Sequence, residues 1–216
     1  MKIREVKRYA RQSLKNRWGF ALLLTIVTFG IYGGIQVLVE MLISGGFEAW
    51  VDDESTSATM VGYILSVILA PIIMSNYWVF LGIVRKEPVK IGDLFDPFLN
   101  FGLYVKAIGL YILVAIYTLL WTLLLIIPGI IKGMAYSQAY FVLKDHPDYS
   151  INRAITESRK LMDGYKWSYF LLMLSFIGWG ILSILTLGIG FLWLIPYVTA
   201  SLASFYEQLS NHPKEA

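Results

Sequence analysis

The side chains best placed to do chemistry in this chain are ionisable or polar groups set inside long apolar runs. Lys132 follows Pro128-Gly129 within one such run, and Glu40 lies near the end of another. A charge at the centre of a bilayer costs at least ~2.5 kcal/mol, so intramembrane charges point to function. Facing each other, Lys132 and Glu40 would lower each other's desolvation cost and form an outward-facing polar site or coupling pair. The alternative is that both reach the outer interface by snorkelling. Gln36, Asn76 and Gln138 are the other buried polar candidates, expected as hydrogen-bond partners between helices.

Enzyme chemistry finds little support. The two histidines, His146 and His212, each precede a proline, which suits a cap or turn. The chain has no cysteine, so a thiolate nucleophile, a thiolate zinc site and an iron–sulfur cluster are excluded. No HExxH, phosphate-cradling glycine loop or GxSxG occurs. Asp52-Asp53-Glu54 lacks the spaced ligands of a calcium loop and reads as a solvated acidic loop. No catalytic residue, metal site or cofactor is expected. Basic runs are interrupted by apolar residues at helical spacing beside the long apolar segments, which favours lipid headgroups over nucleic acid.

The elements that must position these residues are membrane spans. Of 216 residues, 57% are hydrophobic and 15% charged, against about 25% charged in soluble domains. Disordered, collagenous and disulfide-rich secreted classes are excluded. A crossing helix needs roughly 20 mostly apolar residues. Six crossings result, at 19–41, 60–84, 102–122, 125–143, 168–187 and 190–209, with Gly188-Ile189-Gly190 as the last turn. The first is too long for a signal-peptide core and is expected to remain as an anchor. The expected fold is an all-α polytopic bundle in one integral membrane domain, 1–216.

Charge orients the bundle. Of 18 basic residues, all but Lys132 fall on one side of a six-span arrangement. The positive-inside rule makes that side, and both termini, cytoplasmic. The opposite side holds Glu48, Asp52, Asp53 and Glu54. Trp18 and Trp167 sit at inner span ends, and Trp50, Trp121 and Trp193 near outer ones, as in interfacial belts.

Prolines suggest a threefold repeat. Pro71 and Pro88, Pro128 and Pro147, and Pro196 and Pro213 each bracket one outside-to-inside span. Aromatics precede the second member: Tyr77-Trp78, Tyr140-Phe141 and Phe205-Tyr206. Three like-oriented hairpins would explain this; proline tolerance in membrane helices is the alternative. Gly30 and Gly34, and Gly129 and Gly133, have the GxxxG spacing that lets helix backbones approach, within the bundle or in a dimer. Pro71, Pro128 and Pro196 are candidate kinks.

Two connectors have apolar stripes. The basic N-terminal helix within 1–17 aligns Ile3, Val6, Tyr9, Ala10, Leu14 and Trp18. The connector 144–167 aligns Ile151, Ala154, Ile155, Ser158, Leu161 and Met162, with Ser150 as N-cap, Gly164 as stop and an Arg153–Glu157 pair. Between Lys90 and Phe101, Pro97 makes any helix short. Such helices either lie in the inner interface or pack against the bundle. In the interface, Arg4, Lys7, Arg8, Arg11, Arg153, Arg159 and Lys160 would contact anionic headgroups at ~1 kcal/mol each.

Several strings resemble a known family. Residues 158–167 read SRKLMDGYKW, 174–179 LSFIGW, 185–197 LTLGIGFLWLIPY and 205–209 FYEQL. Earlier, 127–132 reads IPGIIK and 10–19 ARQSLKNRWG. Together they resemble the bacterial integral membrane proteins of the domain of unknown function 975 family. A more distant similarity is to the membrane domain of some glycerophosphodiester phosphodiesterases; no part of this chain corresponds to their catalytic domain. The resemblance implies a multi-pass protein of the bacterial cytoplasmic membrane and transfers no catalytic residue. The functional expectation is a non-enzymatic accessory or scaffold in envelope or transport processes. Its partners would be anionic inner-leaflet lipids, with a membrane protein or a second copy as further candidates. The alternative is a small transporter or channel with a polar site near Lys132; a lipid-modifying enzyme ranks third.

Overall fold

The computed structural model describes residues 1–52 and 56–211. Asp53, Glu54, His212, Pro213 and Lys214 lie outside the described residues, as do those parts of the acidic-loop and third proline-pair readings. Every regular element among the described residues is helical. In order they are α1 (Ile3–Leu14), α2 (Trp18–Ser44), α3 (Phe47–Asp52) and α4 (Thr56–Arg85). A 3-10 turn (Ile91–Phe95) and α5 (Asp96–Leu99) lead into α6 (Phe101–Leu124), α7 (Ile126–Tyr136) and α8 (Ala139–Asp145). Then come α9 (Ile151–Leu161), α10 (Lys166–Leu185) and α11 (Phe191–Asn211).

Four of these helices, α2, α4, α6 and α10, are long and apolar enough to cross a membrane. The stretch read as a fourth crossing, 125–143, is not one helix. Ser158 of α9 wedges into its ladder: the Ser158 hydroxyl donates to the Ala135 carbonyl (2.7 Å) and accepts the Gln138 N–H (3.1 Å). A side chain inserted this way is a recognised cause of helix interruption, and the chain breaks at Ser137-Gln138 into α7 and α8.

Local chemistry sets the other ends. Gly45 closes α2 at φ +94°, in the left-handed region, with its N–H on Met41 O. Asn100 caps α6 by accepting the Leu103 N–H, and Ser150 caps α9 by accepting the Arg153 N–H. Leu125 is extended, ending α6, so Pro128 falls in the first turn of α7, where its missing N–H costs nothing. Leu187 and Gly188, both at positive φ, turn α10 into α11.

The second half of α4 is the hub. From Leu69 to Val84 only Ile73 and Tyr77 are not buried. A helix apolar on all sides belongs in the middle of a bundle. It packs against α2, α6, α8, α11 and α1, and Phe80, Phe141 and Phe205 are its largest fully buried neighbours or members. The outer faces of α2, α6 and α10 are different. Leu38, Leu42, Leu119, Leu123, Ile184 and Leu185 are each more than half exposed. Contiguous apolar surface of this extent needs a non-aqueous cover.

Candidate functional site

The most connected polar group joins the ends of α4, α8 and α11. Arg85 forms a bidentate pair with Asp145, through Nη1–Oδ1 at 2.6 Å and Nη2–Oδ2 at 2.8 Å. Its Nε donates to Glu207 at 2.7 Å. Tyr206 donates its hydroxyl to Asp145 (2.7 Å), and the Asn211 amide donates to Glu207 (2.9 Å). Burial pushes the Asp145 carboxyl up, but the bonds from Arg85 and Tyr206 outweigh it and hold the group below its ordinary value. The arrangement is a clamp on three helix ends. Sequence reading missed it; the available signal was two carboxylates, Asp145 and Glu207, at the ends of apolar runs, with Arg85 at the end of another.

Two clefts flank the hairpins. In each, a basic helix lies alongside a hairpin that is not its own continuation. The first, of about 610 Å³, separates α1 from α10 and α11. Lys7 and Arg11 face it, with Trp18, Leu182, Trp193 and Tyr197 among its walls. The Lys7 ammonium bonds the Ser175 hydroxyl (3.0 Å) and lies 4.1 Å from the centre of the Phe176 ring. Burial lowers the Lys7 ammonium from its ordinary value. Among the described residues, neither Lys7 nor Arg11 has a carboxylate partner. The second cleft, of about 320 Å³, separates α9 from α6 and α7, with Tyr117, Trp121, Tyr136 and Arg159 in its walls. A hydrogen bond from Tyr117 to Asn152 (3.2 Å) spans it.

The two clefts share a register. Val6, Ala10 and Leu14 of α1 are fully buried, and so at the same spacing are Ala154 and Ser158 of α9 and its C-cap Met162. Arg11 and Arg159 each follow the middle buried position. On the hairpin side, a Cβ added to Gly190 would sit 2.8 Å from Ser183 Cα, and one on Gly129 would sit 2.7 Å from Thr122 Cα. Each glycine thus seats on a hydroxyl residue seven positions earlier, and Tyr197 and Tyr136 follow these glycines by seven. In the remaining hairpin, Gly62 of α4 seats against Glu40 of α2.

The residues singled out from sequence are dispersed. Glu40 packs on Gly62, beside Gln36, whose amide donates to Gly62 O (2.8 Å). Lys132 instead stands 4.5 Å from the centre of the Trp121 ring, and no ion pair joins it to Glu40 among the described residues. Asn76 is buried and accepts from Thr28 (3.3 Å), tying α4 to α2. Gln138 is buried at the α7–α8 break, its amide donating to Ser137 (2.7 Å) while its Oε1 has no partner among the described residues. Gly129 and Gly133 line the α6–α7 contact, but a Cβ on Gly30 or Gly34 would meet nothing within 4 Å, so that GxxxG is not a close helix approach. Pro71 and Pro196 are buried within α4 and α11. Arg4, Arg8, Arg11, Arg153, Arg159 and Lys160 are exposed. Glu157 pairs with Lys160 (2.8 Å) rather than Arg153, which stacks on Tyr149 instead.

Fold and clefts together define an all-helical bundle with spanning-length apolar helices and cationic clefts beside its hairpins. The chain belongs to the family described as Protein of unknown function (DUF975), whose model matches residues 1–132 and 122–213. No curated protein matches. No solved structure matches either.

Proposed function

We propose that this is a non-enzymatic protein of the bacterial cytoplasmic membrane, an accessory or scaffold component in envelope or transport processes that engages anionic inner-leaflet lipids. The observation that carries the reading is the exposed cationic side of α1, with Arg4, Arg8 and Arg11, beside helices whose outward aliphatic side chains need lipid cover. Each such cation near an anionic surface contributes ~1 kcal/mol. Arg153 and Arg159 place the same charge on α9.

The proposed topology has six crossings, counting α7 with α8 as the fourth and α11 as the sixth, in three hairpins. The Arg85–Asp145–Glu207 junction supports it, because the ends of α4, α8 and α11 then share one side. The matching glycine seats at positions 129 and 190 support a common design for the second and third hairpins.

The lipid reading is tested on the reconstituted full chain with spin-labelled phosphatidylglycerol and phosphatidylcholine. Phosphatidylglycerol should be enriched in the motionally restricted layer, and replacing Arg4, Arg8, Arg153 and Arg159 with Gln should reduce the enrichment. Equal occupancy by the two lipids refutes the proposal.

A further inference from the structure

We infer that the cleft between α1 and the α10–α11 hairpin is a discrete binding site for one anionic phospholipid, its phosphate held by Lys7 and Arg11 and an acyl chain lying on the apolar wall. The inference deepens the lipid-binding reading above and rests on it.

Chemistry and shape both select this occupant. The cleft, at about 610 Å³, lies within the ~300–1,000 Å³ range of ligand pockets. Its lining is of two kinds: two cations, Lys7 and Arg11, with no carboxylate partner among the described residues, and an apolar set that includes Leu182, Trp193 and Leu194. A free phosphate would leave that wall bare, and a zwitterionic lipid would bring a quaternary ammonium that offsets its phosphate beside the two cations. The Lys7 ammonium is held by Ser175 and the Phe176 face, contacts that fix its position and leave its charge uncancelled. Lys7 and Arg11, one helical turn apart, reach the same side of α1.

The second cleft strengthens the case. Arg159 recurs where Arg11 stands, Tyr136 where Tyr197 stands and Thr122 where Ser183 stands, each judged by spacing from its buried or glycine neighbours. The Lys7 position is taken there by Ile155, and the volume falls to about 320 Å³. The α1 cleft is therefore the one equipped with two cations and room for a chain.

Native mass spectrometry of the full chain, released from micelles containing dioleoylphosphatidylglycerol or dioleoylphosphatidylcholine, tests the site. One phosphatidylglycerol should be retained per chain. The double variant Lys7→Gln/Arg11→Gln should weaken retention about 30-fold, from roughly fivefold per cation. The control Lys2→Gln/Lys15→Gln removes equal charge from the two caps of the same helix, outside the cleft lining, and should leave retention within about threefold, less than one cation's share. Melting curves confirm that each variant is folded. Equal loss in both double variants overturns the discrete site while leaving general lipid engagement intact. No preference for phosphatidylglycerol in any protein removes both. Competition by sn-glycerol 3-phosphate as strong as by phosphatidylglycerol would make the occupant a soluble anion and overturn the proposal. Lipid-free dimers that separate in the Lys7→Gln/Arg11→Gln variant would do the same, making the cleft an interface between copies.

Discussion

Replacing Arg85 with Gln strips the clamp on α4, α8 and α11 and leaves Asp145 and Glu207 without their shared cation. Arg85 donates three charge-assisted bonds, at 2.6, 2.7 and 2.8 Å. The side chains of the junction retain only 18–24% of their exposure, so solvent screens them incompletely. Hydrogen bonds to charged groups contribute ~1.5–3 kcal/mol each. Water can reach the released carboxylates, so the net loss is set at about 3 kcal/mol rather than the full sum. For a chain of this length that is roughly 6–12 °C in melting temperature. The assay is thermal unfolding in detergent micelles, followed by circular dichroism. A second variant isolates the cause. Arg85→Gln with Asp145→Asn and Glu207→Gln keeps the shape but removes the stranded charges, so it should melt above Arg85→Gln alone and below the parent. A shift under about 2 °C for Arg85→Gln, less than 1 kcal/mol, refutes the clamp. A triple variant no better than the single one refutes the charge argument.

Other expectations follow from the same geometry. Asp145 is held below its ordinary carboxyl value in the fold. Its contribution to stability is therefore present above about pH 4, the unfolded value, and lost as pH falls through the folded one; melting temperatures between pH 3 and 7 should show the fall, and Asp145→Asn should flatten it. Gly190→Ala would press a Cβ against the Ser183 backbone and should cost about 1–3 kcal/mol, whereas Gly34→Ala meets open space and should stay within about 0.5 kcal/mol or gain slightly; parallel melts compare them. Ser158→Ala removes the partner of both the Gln138 N–H and the Ala135 carbonyl, and should cost about 1–3 kcal/mol with faster hydrogen exchange at 137–142. Exchange and stability unchanged would mean the α7–α8 break does not depend on the wedge.

The helices themselves were largely legible, because long apolar blocks can satisfy their backbone only internally once in lipid. The stripe Val6, Ala10 and Leu14 predicted the buried face of α1, while Tyr9 from the same stripe remains exposed. What covers that face was not legible: periodicity reports that a helix has a partner but not which one, and α1 chose the last hairpin. The α7–α8 break escaped notice because Ser137 and Gln138 interrupt an apolar run without any helix-breaking residue. Its cause, Ser158, is twenty positions away from Gln138. GxxxG spacing alone could not separate Gly129–Gly133, which meets α6, from Gly30–Gly34, which faces outward. Lys132 was singled out by charge and depth; that its ammonium would lie over the Trp121 ring was not legible in the apolar pattern. The junction of Arg85, Asp145 and Glu207 required three distant chain ends to meet, and no single-segment pattern encodes that.

In the proposed topology the second helices of all three hairpins end on the inner side. Because the chain has no cysteine, single cysteines report topology without background. Ser57→Cys should react with a membrane-impermeant maleimide in intact cells. Lys90→Cys and Ser210→Cys should react only after lysis. Labelling of Ser210→Cys in intact cells, or of Ser57→Cys only after lysis, would contradict the six-crossing arrangement and the shared side of the three helix ends.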